Sequence, residues 1–193
     1  MKRCALLATI LAMTVLITQA ASGDDPPPPA ATATPSPQVA QAREFFNALA
    51  GRWDIESEMS PRPKDPLTKT RATETIERVG ALGVAANYDG TIMGAPLNAR
   101  YLLSFNSAKQ MYTSAWLDNM SGLLLTCEGS FDAAGRVLTM RGGYDDPARP
   151  ERASSVRQTI EMPDADTRIM HMWVANAAGE ERLFFRNKYK RRS

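Results

Sequence analysis

A chain of 193 residues with 44% hydrophobic and 23% charged side chains has the apolar content of a globular protein, which excludes global disorder. Its 23 basic and 21 acidic groups leave a formal charge of +2, too small for the basic face that nucleic-acid binding requires, so no nucleic-acid partner is expected. Two cysteines and one histidine exclude a disulfide framework and speak against a protein-only zinc site, and no metal ligand set is assigned.

The chain opens with the positive Met1-Lys2-Arg3, an apolar run from Cys4 to Ile17 and the small-residue segment Thr18-Gln19-Ala20. This is the pattern of an export signal over residues 1–20, cut near Ala21. The run is shorter than the ~20 apolar residues that span a bilayer. No cysteine follows it to carry a lipid, so no stable membrane anchor is expected after cleavage. The expected location is periplasmic or secreted. Loss of Lys2 and Arg3 leaves 21 basic against 21 acidic groups, and Cys127 as the one remaining thiol. Cys127 ends the strand-like run Leu123-Leu124-Leu125-Thr126-Cys127 and is expected to be a buried, unreactive side chain.

Residues 21–37 hold Pro26 to Pro29, Pro35 and Pro37 and no Val, Ile, Leu, Met or aromatic residue. Such a segment has nothing to bury and reads as an extended linker. The folded domain is then 38–193, near the usual size of one domain. It begins with a short helix. Ser36 is the expected N-cap and Pro37 the first helical residue, with Val39, Ala42, Phe45, Phe46 and Leu49 recurring at helical spacing and Gly51 as terminator. The phenylalanines are expected to plug an apolar opening.

From Arg52 the period changes to two. Trp53, Ile55, Ser57 and Met59 alternate with Asp54, Glu56 and Glu58, and the same alternation returns at 86–92, 100–105, 156–162 and 182–189. Turn-forming clusters at 106–109, 132–135, 163–166 and 176–179 separate the runs. Strands are predicted at 52–59, 70–79, 83–92, 97–105, 111–117, 122–130, 136–142, 154–162, 168–175 and 182–190. Consecutive hairpins of this number curl and close, so the predicted fold is all-β: a single antiparallel up-and-down β-barrel of about ten strands with the short N-terminal helix at one mouth. The longer loops 60–69 and 142–153 are candidates for function. The six basic residues between Arg182 and Arg192, with no acid among them, read as a solvated C-terminal end.

Several of these segments together resemble a known family. Gly51-Arg52-Trp53 after a short helix is similar to the Gly-x-Trp opening of lipocalin-like barrels. Met93-Gly94-Ala95-Pro96, Trp116-Leu117-Asp118-Asn119-Met120-Ser121 and Glu128-Gly129-Ser130-Phe131-Asp132 resemble, in order and spacing, the bacterial domain-of-unknown-function family 1579, as do Leu138-Thr139, the Arg157 strand and Tyr189-Lys190-Arg191. The resemblance covers roughly residues 43–191. It implies a calycin-like barrel with the Trp53 position closing one barrel end, and it implies no activity.

For function, Tyr112, Ser114, Trp116 and Asp118 share one strand face, and small residues beside large ones leave interior space. The favoured reading is a lipocalin-like binder of a small apolar ligand inside the barrel, against a filled core with no ligand. Trp53, Tyr88, Tyr101, Trp116 and Trp173 supply the expected wall, and Asp118 with Arg157 the expected polar anchor. Asp118 has a second possible role, capping the backbone of the 118–122 turn. An alternative class is an acid–base enzyme using Asp118, Glu128 and Arg157. A third is a structural or partner-binding module using the loops or the basic end. No Gly-x-Ser-x-Gly elbow and no Gly-rich phosphate loop occur, so no catalytic residue and no cofactor is assigned. His171, in phase with Ile169 and Trp173, is expected to point inward without ligating, with a haem axial ligand as the alternative.

Overall fold

The structure, a computed structural model, describes residues 35–60, 66–144, 154–176 and 178–193. The expected signal at 1–20, residues 21–34 of the expected linker, and the loop segments 61–65 and 145–153 lie outside the described residues.

Helix α1 (Pro37–Leu49) starts as its sequence dictates, with Ser36 Oγ accepting from the Val39 N–H at 3.4 Å and Pro37 at the first position. Ten strands follow: β1 (Gly51–Met59), β2 (Thr68–Arg78), β3 (Gly83–Ile92), β4 (Ala95–Asn106), β5 (Met111–Asp118), β6 (Leu125–Phe131), β7 (Val137–Tyr144), β8 (Ser154–Asp164), β9 (Thr167–Ala175) and β10 (Glu181–Arg191). Each is antiparallel to its neighbours in sequence. The ring closes where β1 meets β10, in a register running from Trp53 opposite Arg191 to Met59 opposite Phe185. The up-and-down barrel with one short helix is therefore the observed fold, and no strand among those described is left with a free edge.

Two expectations change. The strand expected from residue 122 starts at Leu125, because the Asp118 carboxylate ties down the N–H groups of Met120 and Ser121 and Gly122 turns the chain at φ 63°. The basic C-terminal segment is no solvated end but the closing strand β10. Its Arg186 pairs with Glu58, its Lys190 Nζ donates to Thr167 Oγ1 at 2.6 Å, and Arg192 just beyond it pairs with Asp54.

The alternation of each strand sends one side-chain set inward. Ile55, Leu103, Leu138 and Met140 are buried there, as is Cys127, whose thiol burial pushes up to about 11. Strands β6 and β7 approach closely: a Cβ on Gly129 would sit 1.9 Å from the Thr139 carbonyl oxygen, and one on Gly142 1.8 Å from that of Thr126.

Helix α1 closes one end. Phe46 and Leu49 are buried, and Phe45 meets Tyr112 and Phe131 edge to face at 5.8 and 5.0 Å. Trp53 Nε1 donates to the Leu49 carbonyl at 2.9 Å. The Arg191 guanidinium lies 4.3 Å from the Trp53 ring centroid and donates to the carbonyls of Ala50, at 2.8 Å, and of Ala48. These carbonyls at the helix end lack intrahelical donors, so Arg191 fills a standing need and fastens the plug to the last strand.

Candidate ligand cavity

Inward-facing side chains do not fill the other half of the barrel. A cavity of about 740 Å³ remains there, opening away from α1 between the start of β10 and the β5–β6 loop. It has two tiers, and the strand sequences explain both.

The tier toward the mouth is apolar. Trp116 stands at its centre, with Tyr88 at 5.4 Å and Tyr101 at 6.4 Å between ring centroids. Leu97, Leu125, Met170 and Met172 complete the wall. A register shift between Leu183 and Phe185 gives β10 an extra residue, so the consecutive Phe184 and Phe185 both line the cavity, their rings 4.6 Å apart.

The deeper tier is polar. Glu74 on β2 and Arg168 on β9 point inward, form an ion pair and are 4% and 5% exposed. The Arg168 guanidinium lies 3.6 Å from the Tyr189 ring centroid and 5.2 Å from that of Trp53. Burial works against the Arg168 charge, but Glu74 outweighs it and holds the pKa above the usual arginine value. Gln158 Nε2 donates to Ser114 Oγ at 3.0 Å, and Asn187 Nδ2 to Tyr189 Oη at 3.3 Å. Burial pushes the Tyr101 phenol well above its ordinary value, so it keeps its proton at neutral pH. Three atoms of this floor are buried without any hydrogen-bond partner: Tyr101 Oη, Arg168 Nε and Asn187 Oδ1.

Of the side chains expected to hold a ligand, the structure brings Tyr88, Tyr101, Trp116 and Asp118 to the cavity. Trp53 is elsewhere, 1% exposed and bonded to α1 below the floor. Arg157 and Trp173 are corrected outright. On β8 the inward set is Val156, Gln158 and Ile160, and on β9 Arg168, Met170 and Met172, which leaves Arg157 and Trp173 on the outer surface. There they stack at 3.7 Å, and Arg157 holds both Glu181 oxygens at 2.8 and 2.6 Å. His171 shares this outward phase, 5.4 Å from Trp173, so the inward orientation that a haem ligand needs is not met.

The expected Asp118–Arg157 anchor is not formed either. The Asp118 carboxylate accepts from Trp116 Nε1 at 2.9 Å, Met120 N at 2.9 Å and Ser121 N at 2.6 Å, which is the turn-capping arrangement. Partial burial raises its pKa, but these donors outweigh burial and hold the carboxyl below its ordinary value. Glu128 sits on the outside against Lys109 at 3.2 Å, so Asp118, Glu128 and Arg157 do not converge. Among the described residues no three metal-ligating side chains cluster.

Residues 38–191 match the family model described as protein of unknown function (DUF1579). Among solved structures, Rv2717c from M. tuberculosis superposes with a TM-score of 0.62 at 12% identity, covering 79% of this chain and 98% of its own. The S-type phycobiliprotein lyase CPES from Guillardia theta superposes with a TM-score of 0.58 at 12% identity, covering 82% of this chain and 99% of its own. These two likenesses are likenesses of fold. No curated protein sequence matches the chain.

Proposed function

The chain belongs to the DUF1579 family, and from that footing we propose that its barrel is a container for one small, largely apolar molecule held without covalent chemistry. The observation that carries this reading is the cavity of about 740 Å³, lined by Trp116, Leu97, Leu125, Met170 and Phe185 and plugged at one end by α1. Its size lies within the ~300–1,000 Å³ range of sites for small ligands, and an apolar wall with few polar groups is their usual composition. A barrel core meant only for stability would be filled, since empty volume forfeits packing energy. Asp118 serves the site by setting the Trp116 indole and the rim turn, and it needs no ligand to satisfy it.

We further propose that the container works outside the cytoplasm, in the periplasm or as a secreted protein. Support for this comes from the positive start, apolar run and small-residue segment at Met1–Ala20. Intact mass of the exported protein should place the N-terminus near Ala21; a product retaining Met1–Ala20 refutes that part alone.

Binding is tested with Nile red, a neutral apolar dye, titrated into the full chain. The expected result is saturable one-to-one binding with quenching of tryptophan emission, most of it lost in Trp116→Phe, because Trp53 and Trp173 lie outside the cavity. Linear, non-saturating fluorescence would show that no such site exists. Native mass spectrometry of protein extracted from its source identifies any molecule that co-purifies.

A further inference from the structure

We propose that the cavity floor selects its ligand by an uncharged head group that both accepts and donates hydrogen bonds, as a carboxamide does, carried on an apolar body. The inference rests on the container reading above and adds the chemistry of the end that enters first.

The argument starts from the three unpartnered atoms. Buried polar groups are nearly always hydrogen-bonded, and leaving one unmade is unfavourable. Here three such atoms belong to residues lining one floor: Tyr101 Oη, Arg168 Nε and Asn187 Oδ1. The fourth unpartnered atom among the described residues, Tyr112 Oη, belongs to the aromatic cluster against α1 and not to the lining. The floor atoms differ in kind. The Tyr101 hydroxyl and the Arg168 N–H are donors, and the Asn187 oxygen only accepts. Unpartnered donors and an unpartnered acceptor side by side call for a group with a carbonyl oxygen and an N–H or O–H of its own.

Charge then decides between head groups. Glu74 already neutralises Arg168, so the floor is an internally balanced pair rather than a free cation. A fatty carboxylate would bring a second negative charge into a site 4–5% exposed, beside Glu74, and would present only acceptors to Asn187 Oδ1. An alkylammonium ion would bring donors alone to Tyr101 and Arg168. A bare hydrocarbon leaves all three atoms as they are. A carboxamide supplies an acceptor for the donors and a donor for the acceptor, with no net charge. The tiering of the cavity sets the direction: head on the floor, chain past Trp116 toward Phe184 and Phe185 at the mouth.

The test is displacement of bound Nile red from the full-length protein at pH 7.5 by four C12 compounds: dodecanamide, dodecanoate, dodecylammonium and dodecane. Dodecanamide is expected to bind about tenfold or more tighter than each of the others, the size of one or two well-made hydrogen bonds. Tyr101→Phe, which removes a hydroxyl with no partner in the fold, is expected to weaken dodecanamide several-fold and leave dodecane unchanged. Equal displacement by all four, or a preference for dodecanoate or dodecylammonium, overturns the head-group proposal while the container stands. Failure of Nile red itself to bind overturns the container and this proposal with it. The four-compound series on the unsubstituted protein decides the matter even if Tyr101→Phe proves unstable.

Discussion

Glu74 and Arg168 form an ion pair that water barely reaches, and the energetics of such pairs are lopsided. Removing one partner strands a charge in a dry site, so Glu74→Gln should lose about 3–5 kcal/mol in urea unfolding at neutral pH. Replacing both partners with apolar residues of similar volume should recover most of that loss. Asp118 makes the opposite kind of contribution, at a partly exposed rim where screening limits each bond. Asp118→Asn keeps an acceptor for the Met120 and Ser121 amides but turns an amide nitrogen toward Trp116 Nε1, and should cost about 1 kcal/mol at pH 7. The folded pKa of Asp118 is depressed, so its charge-dependent stabilisation is complete above the unfolded value of about 3.9 and lost as pH falls through the folded value. The stability gap between wild type and Asp118→Asn should therefore be constant from pH 5 to 8 and shrink below about pH 4; a gap that widens in acid would mean the carboxylate is not the group that matters. The capping role of Asp118 was legible from its place before Asn119 and Gly122. The ion pair was not. Glu74 stands in phase with Ala72 and Ile76, which was the available signal, but residues 167–175 carry apolar side chains in both phases, and alternation alone cannot say which phase faces in.

Among the elements, α1 and β10 are bound to each other's fate through Arg191. Its guanidinium holds the carbonyls at the end of α1 while lying against Trp53, so Arg191→Ala frees the helix end without opening a large cavity. The expected result is a loss of about 1–3 kcal/mol, with faster hydrogen exchange at the α1 amides 40–50 and little change on β4 or β7. Uniform acceleration over all strands would show that Arg191 supports the barrel as a whole rather than the plug. The helix itself was readable from Ser36, Pro37 and the apolar spacing of Val39 to Leu49, because capping and period are local properties. Strands β3 and β5 were equally readable, being bounded by turns with strong local chemistry. The bulge of β10 was beyond reach: Phe184-Phe185 breaks a period of two, but a sequence does not say whether the chain shifts phase to bury both rings or exposes one. The same limit hid the outward turn of Trp173 and Arg157, whose stacking satisfies a bulky aromatic on an outer face.

At the scale of the whole molecule, nine of the ten strand pairings join neighbours in sequence, and one does not. Residues 53–59 meet residues 185–191 across nearly the full length of the domain. A chain lacking residues 181–193 should lose its cooperative unfolding transition and bind thioflavin-type dyes, since β1 and β9 would each expose an unpaired edge; a sharp two-state transition in that chain would contradict the closed ring as the source of stability. The seam also dictates an order of events. Each hairpin can zip as soon as its two strands exist, since a short turn closes quickly and at little entropic cost. Joining ends ~130 residues apart instead of ~6 adds only about 3 kcal/mol of closure entropy, but none of it is recovered until the final strand docks. The barrel is thus a zipper with a single latch, and the latch is the last segment the ribosome makes. Substitutions along the hairpins should act mainly on how fast the finished barrel comes apart, whereas substitutions at Ile55, Asn187 or Tyr189 should act on whether the ring ever shuts.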